Sequence, residues 1–384
     1  MRERTFDVGF FLDSITYRLP AGGDQVIFRI SGELMKRGYT VCFLFSPDGF
    51  RKYLTERGDK KLAIQNNDFL YKIIMGEFYK FLPEKLTGLA IRLQRKILGG
   101  KYDFSITDHI PTIVMVNDNK RNLYVKNIIA TYFRTAFIVD RLKIKCNRKL
   151  YLIQNREDDP SLSGKIAPYA TEAYNLNLQK IVINRGLYKR FEKDNPEMIR
   201  IGIDMDRWRS KNTRKENVIL FPLRREKYKG ADIIIEALDK IRNELKGFKL
   251  IGFGNLSKEN VPDWIEFHRD IPDEDLRELY GKSRIFVLPS RAEGFGLTNL
   301  EAMANECAVI STKFFGYDTY LVDRENSLLV ETEDTQGMSE AVLSLIKDPE
   351  LMERISKNGL NTALEYSQEN MVNDFERIIK TQKP

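Results

Sequence analysis

One stretch constrains this chain more than any other: an apolar run that ends in two closely spaced glycines and resumes as a helical pattern. Residues Arg284-Ile-Phe-Val-Leu-Pro289 read as a buried strand. Gly294 and Gly296 follow as a turn that lets the backbone approach a ligand closely. From Leu297 onward, Leu300, Met303 and Ala304 recur at helical spacing. Strand, glycine turn and helix in that order belong to a parallel α/β layer. The helix start offers unpaired N–H groups and a partial positive charge, which suit a phosphate or a sugar hydroxyl. Glu293 stands at the mouth of the turn. Glu301 lies about one helical turn beyond it, placed to point back at whatever the loop holds. Such a turn is also an ordinary connection, so its meaning depends on the rest of the chain.

The same grammar recurs at both ends. Phe6 to Leu12 reads as a first strand, followed by Ala21-Gly22-Gly23, by Val26, Ile27, Ile30 and Leu34 at helical spacing, and by a second strand, Val41–Phe45. The spacing G-x-G-x-x-G is absent, so this is not a dinucleotide fingerprint. Further strands are expected at 102–107, ahead of His109, at 150–154, ending in Gln154 and leading into Asn155, and at 180–184. His109 suits either a proton relay or the cap of a following helix. Val218 to Pro222 is another buried strand, and it runs into Arg224, Arg225, Lys227 and Lys229 just before a helix. Arginine offers a bidentate fork to phosphate oxygens and lysine a point charge, so the cluster suits a diphosphate. A strand at 248–254 carries Gly252 and Gly254.

The arrangement Glu293-Gly-Phe-Gly-Leu297 with Glu301 resembles the E-x7-E signature of glycosyltransferase family 4, the retaining sugar-nucleotide transferases. Ile201-Gly-Ile-Asp204 is similar to the family's N-G-I-D turn, and Phe248 to Gly254 to its L-x-x-x-G-x-G strand. The resemblance implies a GT-B fold: α/β, two Rossmann-like domains facing across a cleft. Residues 1–205 would form the acceptor-binding domain and 206–366 the donor-binding domain, with a C-terminal helix from 367 to 384 packing back on the first. It implies that Arg224 and Lys229 neutralise the leaving diphosphate, with Arg225 and Lys227 as alternatives. Glu293 would hold donor-sugar hydroxyls and Glu301 the ribose. Gly294, Phe295, Gly296 and Leu297 would lie along sugar and phosphate, with Gly252, Gly22 and Gly23 also near the donor. His109, Gln154 and Asn155 would face the acceptor or the transferred sugar. The sequence departs from the family where relatives carry a histidine near Gln154, and where Thr319 replaces a glutamate. In Asp323-Arg-Glu-Asn-Ser-Leu-Leu-Val330 both family glycines are changed.

Composition narrows the partners. The formal net charge of +7 is uneven, with 35 Lys+Arg against 22 Asp+Glu in residues 1–200 and 27 against 33 in the remainder. Residues 51–100 alternate apolar and basic side chains, and 86–98 reads as a basic amphipathic helix, suited to an anionic membrane surface or to packing on the N-terminal sheet. No recognised nucleic-acid module accompanies it, so no nucleic-acid partner is expected. Cys42, Cys146 and Cys307 have no paired spacing and read as free thiols, in keeping with a cytoplasmic protein at most peripheral to the inner membrane face. Two histidines exclude an ordinary zinc site, and Asp204-Met-Asp206 lacks the strand context of a D-x-D metal motif. The expected activity is transfer of a sugar from a nucleoside-diphosphate sugar to a glycan or lipid-linked acceptor, with neither metal nor cofactor. Two other classes fit less well: another GT-B enzyme such as an epimerase or phosphorylase, and a non-catalytic sugar-nucleotide or glycan binder.

Overall fold

The computed structural model describes residues 3–12, 22–46, 112–116, 122–211 and 215–381. They fall into two compact units. The first comprises residues 1–182, 191–198 and 375–384, and the second residues 183–190 and 199–374.

The first unit is built on a parallel sheet of seven strands in the order β3-β2-β1-β4-β5-β6-β7. These are Arg4–Phe11, Val41–Phe45, Thr112–Met115, Leu123–Ala130, Lys145–Ile153, Gln179–Val182 and Glu197–Met198, numbered β1 to β7 along the chain. The helix Gly22–Lys36 crosses from β1 to β2, completing the βαβ unit that the glycine pair and the period-3.6 pattern announce. Val8 aligns with Val41 on one side and with Asn127 on the other. Sheets of this kind are covered on both faces, so their strands are apolar throughout rather than alternating. Val41 to Phe45 is accordingly buried over its whole length.

Residues 375–381 pack on this unit. Phe375 stacks on Phe10 with ring centroids 5.5 Å apart, and Arg37 and Tyr39 both bond Glu376. The helix that carries them, Gln368–Lys380, begins among residues of the second unit. The chain therefore crosses between units at 182/183, 190/191 and 198/199 and again inside that helix at 374/375, where the sequence reading sets the boundaries at 205/206 and 366/367.

The second unit holds six parallel strands in the order β10-β9-β8-β11-β12-β13. They are Glu216–Pro222 (β8), Lys249–Gly254 (β9), Glu266–Arg269 (β10), Ser283–Leu288 (β11), Ala308–Thr312 (β12) and Leu328–Val330 (β13). Ile219 and Phe221 share one face of β8 and, with Leu223 just past its end, join Ile234 and Leu238 of the helix Ala231–Lys240 and Val342 and Leu345 of the helix Thr335–Lys347 in one core. Each such burial contributes about 1.5–3 kcal/mol relative to exposure. Leu220 and Phe286 are buried as well, and Tyr280 packs edge-on against Phe286 at 5.5 Å. The chain leaves β8 towards β9 on one side, while β11 pairs with β8 on the other. The strand order thus reverses between β8 and β11, and the carboxyl ends of these two strands frame the crevice where open α/β sheets take ligands.

Candidate donor site at the strand-order reversal of the second unit

The two loops singled out in the sequence emerge at this crevice. Residues 223–230 follow β8 and residues 289–296 follow β11. Gly230 fastens them. Its backbone is left-handed (φ +71°), and a Cβ there would lie 2.1 Å from the Pro289 carbonyl oxygen. The backbone N–H of Arg291 donates to the Tyr228 carbonyl at 2.8 Å. Only a residue without a side chain permits so close a crossing.

This crossing brings Lys229 to Glu293. The lysine Nζ lies 2.8 Å from each carboxylate oxygen, and the Ser290 hydroxyl donates to Glu293 Oε1 at 2.7 Å. The pair is mostly shielded, with side-chain exposures of 27% and 11%. Lys229 also lies over the Tyr228 ring, 5.4 Å from its centroid. A cation and a carboxylate are therefore held together at the mouth of the crevice. A phosphate would compete for the first and a sugar hydroxyl for the second.

Behind them the chain turns into the helix Leu297–Ala304 through Gly296, which caps it at φ +79°. Tyr320 braces this turn. Its hydroxyl donates to the carbonyls of Gly296 at 2.8 Å and Phe295 at 3.0 Å, and its ring stacks on Phe295 at 5.0 Å. Burial pushes the Tyr320 phenol up, so it stays a donor. Asn184 braces the turn from another side, donating from Nδ2 to the Gly294 carbonyl at 3.0 Å. The carbonyls of the turn are thus occupied by side chains of the protein. The N–H groups at the start of the helix remain the natural anion donors.

Arg224 and Glu301 both act on Tyr280. Glu301 is buried at 7% exposure and accepts from the Tyr280 hydroxyl at 3.2 Å. Burial and the neighbouring carboxylate both push the Tyr280 phenol up, while the positive charge of Arg224 pulls it down. Arg224 makes no hydrogen bond or ion pair among the described residues, and its Cδ runs alongside Gly254. The alternatives are otherwise engaged or exposed: Arg225 bonds Glu226 at 3.2 Å with 76% of its side chain exposed, and Lys227 is exposed. An unspent guanidinium at the end of a central strand is a ready anion ligand.

The remaining expected residues are placed as follows. Gly252 lies within β9, and a Cβ on it would meet Leu223 at 2.6 Å, so its bareness serves packing. Gly254, at the strand end, is the glycine beside Arg224. Leu297 opens the helix and is partly exposed. In the first unit Gly22 begins the helix after β1, and a Cβ on Gly23 would lie 3.2 Å from the Gln154 side chain. Gln154 and Asn155 follow β5, and Asn155 Oδ1 accepts from the Arg156 N–H at 2.9 Å. His109, the expected strand 102–107 and the basic segment 51–100 lie outside the described residues. Asp204 accepts from the Arg207 N–H and caps the short helix Met205–Trp208. Thr319 uses its hydroxyl inside the unit, accepting from the Arg185 N–H at 2.9 Å and donating to the Gly316 carbonyl.

Sequence reasoning missed Ser290, Arg291, Asn184 and Tyr320. Ser290 and Arg291 sit beside a conspicuous motif and were passed over. Asn184 bore the signal of a polar residue closing an apolar run. Tyr320 had none.

Residues 203–362 match the family model for group 1 glycosyl transferases. Over nearly the whole chain, the protein superposes on an Anabaena protein crystallised with UDP-glucose, with a TM-score of 0.65, 98% of this chain and 99% of the other covered, and 12% identity. The chain has the GT-B fold. An uncharacterized glycosyltransferase of Methanocaldococcus jannaschii is 32% identical over 157 residues, 39% of this chain and 44% of that one. A lipopolysaccharide core biosynthesis mannosyltransferase of Rhizobium leguminosarum is 29% identical over 147 residues, 34% of this chain and 41% of that one. Each alignment thus spans less than half of the curated relative. In the GT-B frame, the two loops described above belong to the segment that the family model matches.

Proposed function

We propose that the protein is a metal-independent, retaining glycosyltransferase of family 4, moving a hexose or related sugar from a nucleoside-diphosphate sugar to a glycan or lipid-linked acceptor in cell-surface polysaccharide or glycolipid synthesis. The observation that carries this reading is the meeting of two loops at the strand-order reversal, one bearing Arg224 and Lys229 and the other Glu293 and a helix start. Departure of a nucleoside diphosphate builds negative charge, which fixed cations and N–H groups stabilise in place. Arg224 and Lys229 supply the cations and the start of the helix Leu297–Ala304 the N–H groups, so charge neutralisation does not require a metal. Glu301, buried and oriented by Tyr280, accepts from ribose hydroxyls. Glu293 exchanges its bond to Lys229 for donor-sugar hydroxyls. Retention follows from family resemblance, by attack on the face the diphosphate leaves, with the leaving phosphate as base.

The relatives' names support the acceptor class, since one acts in lipopolysaccharide core synthesis. The acceptor is proposed to bind the first unit, where Gly23 and Gln154 adjoin. The basic residues of 51–100 favour a cytoplasmic protein peripheral to an anionic membrane. Among the described residues no helix is long and apolar enough to cross a membrane. The test is a thermal-shift panel of nucleoside diphosphates and their sugars on wild type and on Arg224→Ala. One nucleotide should raise the midpoint of wild type and not of the variant, because a ligand that binds the native state stabilises it by mass action. No shift with any nucleotide would overturn the reading.

A further inference from the structure

Arg291 has no place in the roles assigned above, yet it is the most heavily engaged side chain at the site. It stands two residues before Glu293. Its Nε and Nη2 reach both carboxylate oxygens of Glu333, at 2.5 and 2.8 Å. Its Nη1 and Nη2 reach both oxygens of Asp232, at 2.7 and 2.8 Å. The fifth bond runs from Nη1 to the Lys227 carbonyl at 2.7 Å. A guanidinium has five N–H donors, and all five are used. The arginine is the shielded member, at 18% exposure, while Asp232 and Glu333 are 58% and 62% exposed.

We propose that Arg291 is a positioning residue that sets the distance between the diphosphate cation Lys229 and the sugar-binding carboxylate Glu293. The inference rests on the nucleotide-sugar reading of the site. The Lys227 carbonyl belongs to the short 3-10 turn that presents Lys229, and Asp232 lies in the first turn of the following helix. Arg291, itself part of the β11 loop, therefore holds the β8 loop at Lys227 and the helix that follows it at Asp232. Glu333 anchors the guanidinium from a third segment. It adopts a left-handed backbone (φ +69°) immediately before Asp334, which caps the helix Thr335–Lys347. Exposed ion pairs one at a time contribute little. Two bidentate forks on one planar group fix direction as well as distance, which an ammonium cannot do. Hydrogen bonds from Arg291 hold both Asp232 and Glu333 below their ordinary carboxylate range, so both remain charged partners through neutral and mildly acidic pH. A misplacement of about 1 Å at a reacting centre is enough to cost roughly 100-fold in rate.

The experiment compares wild type with Arg291→Met, Arg291→Lys and the double variant Asp232→Asn/Glu333→Gln. UDP, GDP and ADP are titrated calorimetrically at 15 °C, well below unfolding, and the unliganded thermal midpoint of each protein is recorded. Wild type should bind one of the three. Arg291→Met should bind it at least 10-fold more weakly at that temperature, and Arg291→Lys should recover only part of the loss. The double variant keeps the bond to the Lys227 carbonyl and should fall between wild type and Arg291→Met. Equal nucleotide affinity in wild type and the variants, with only the midpoint lowered, would make the clamp a stability feature and overturn the inference. Binding of no nucleotide by wild type would instead overturn the reading on which it rests. Should Arg291→Met fail to fold, Arg291→Lys and the double variant decide the matter alone.

Discussion

Lys229 and Glu293 are 64 positions apart in the chain, and the lysine ammonium sits 2.8 Å from both oxygens of the glutamate. Each group is what the other's proposed ligand must displace: a diphosphate takes the lysine, a sugar hydroxyl the carboxylate. The two single substitutions should therefore differ in kind. Lys229→Ala removes a charge-assisted bond, worth about 1.5–3 kcal/mol, and should weaken nucleoside diphosphate binding roughly 10- to 100-fold. Glu293→Gln frees Lys229 and should leave diphosphate affinity intact or tighter, while turnover of the sugar nucleotide falls. Calorimetry with the diphosphate, beside a donor-hydrolysis assay, separates the two. Equal losses of diphosphate affinity in both variants would contradict this division of roles.

Gly296 links that pair to the helix behind it. A Cβ at φ +79° costs about 1–2 kcal/mol in backbone energy alone. It would also lie 2.9 Å from the Phe314 ring and 3.0 Å from the Tyr320 hydroxyl that braces the turn. Gly296→Ala should lower the denaturant midpoint and weaken nucleotide binding together, since the displaced turn carries both the helix start and Glu293. A variant as stable as wild type would mean that the turn relaxes freely, against the bracing described here.

Most of the second unit was legible because its signals are local. The strands at 218–222, 284–288 and 309–312 are apolar runs, and the turn at 294–296 is marked by its own glycines. The strand β4, in the middle of the first sheet, was not read. Lys126 and Asn127 interrupt its apolar run, and Asn127 is buried because its amide donates to the Asp7 carbonyl at 3.2 Å. A polar residue paired across 120 positions looks like a loop residue until its partner is known. Arg291 was missed for the same reason: beside a motif it reads as a solvated charge, and its acceptors come from 42, 59 and 64 positions away. The departures within 323–330 were legible as departures, and the structure supplies their physical content.

Arg324 stands where the family pattern has glycine, and its backbone is left-handed (φ +57°). The strain is held by its own N–H, bonded to the Ser327 carbonyl at 2.8 Å, and by Asp323, which accepts from the Leu329 N–H at 2.9 Å. The arginine side chain makes no hydrogen bond or ion pair among the described residues. Arg324→Gly should relieve about 1–2 kcal/mol of strain and give back roughly 0.5–1 kcal/mol in unfolded-state entropy. The net expectation is a stabilisation of about 0.5–1 kcal/mol, read as a higher midpoint in urea. A lower midpoint would show that the arginine contributes packing that outweighs its strain.

Glu376 gives the first unit a dependence of its stability on pH. Its carboxylate accepts from Tyr39 at 2.7 Å and Arg37 at 2.6 Å and pairs with Lys380 at 2.6 Å. Its pKa falls from the ordinary 4.5 to about 2, with the Lys380 bond the largest cause and Tyr39 next. A carboxylate depressed in the folded state adds stability wherever the unfolded chain would also be ionised, and that gain disappears as pH falls through the folded value. The contribution is therefore complete above about pH 4.5 and declines between there and pH 2. Solvent screening of the Lys380 partner, 64% exposed, holds it to about 1 kcal/mol. Glu376→Gln should unfold at a lower urea concentration than wild type by a constant gap from pH 8 to pH 5, and the gap should narrow as pH falls below 4.5. A gap unchanged down to pH 3 would show that the residue acts through shape and packing on Tyr39, and not through its charge.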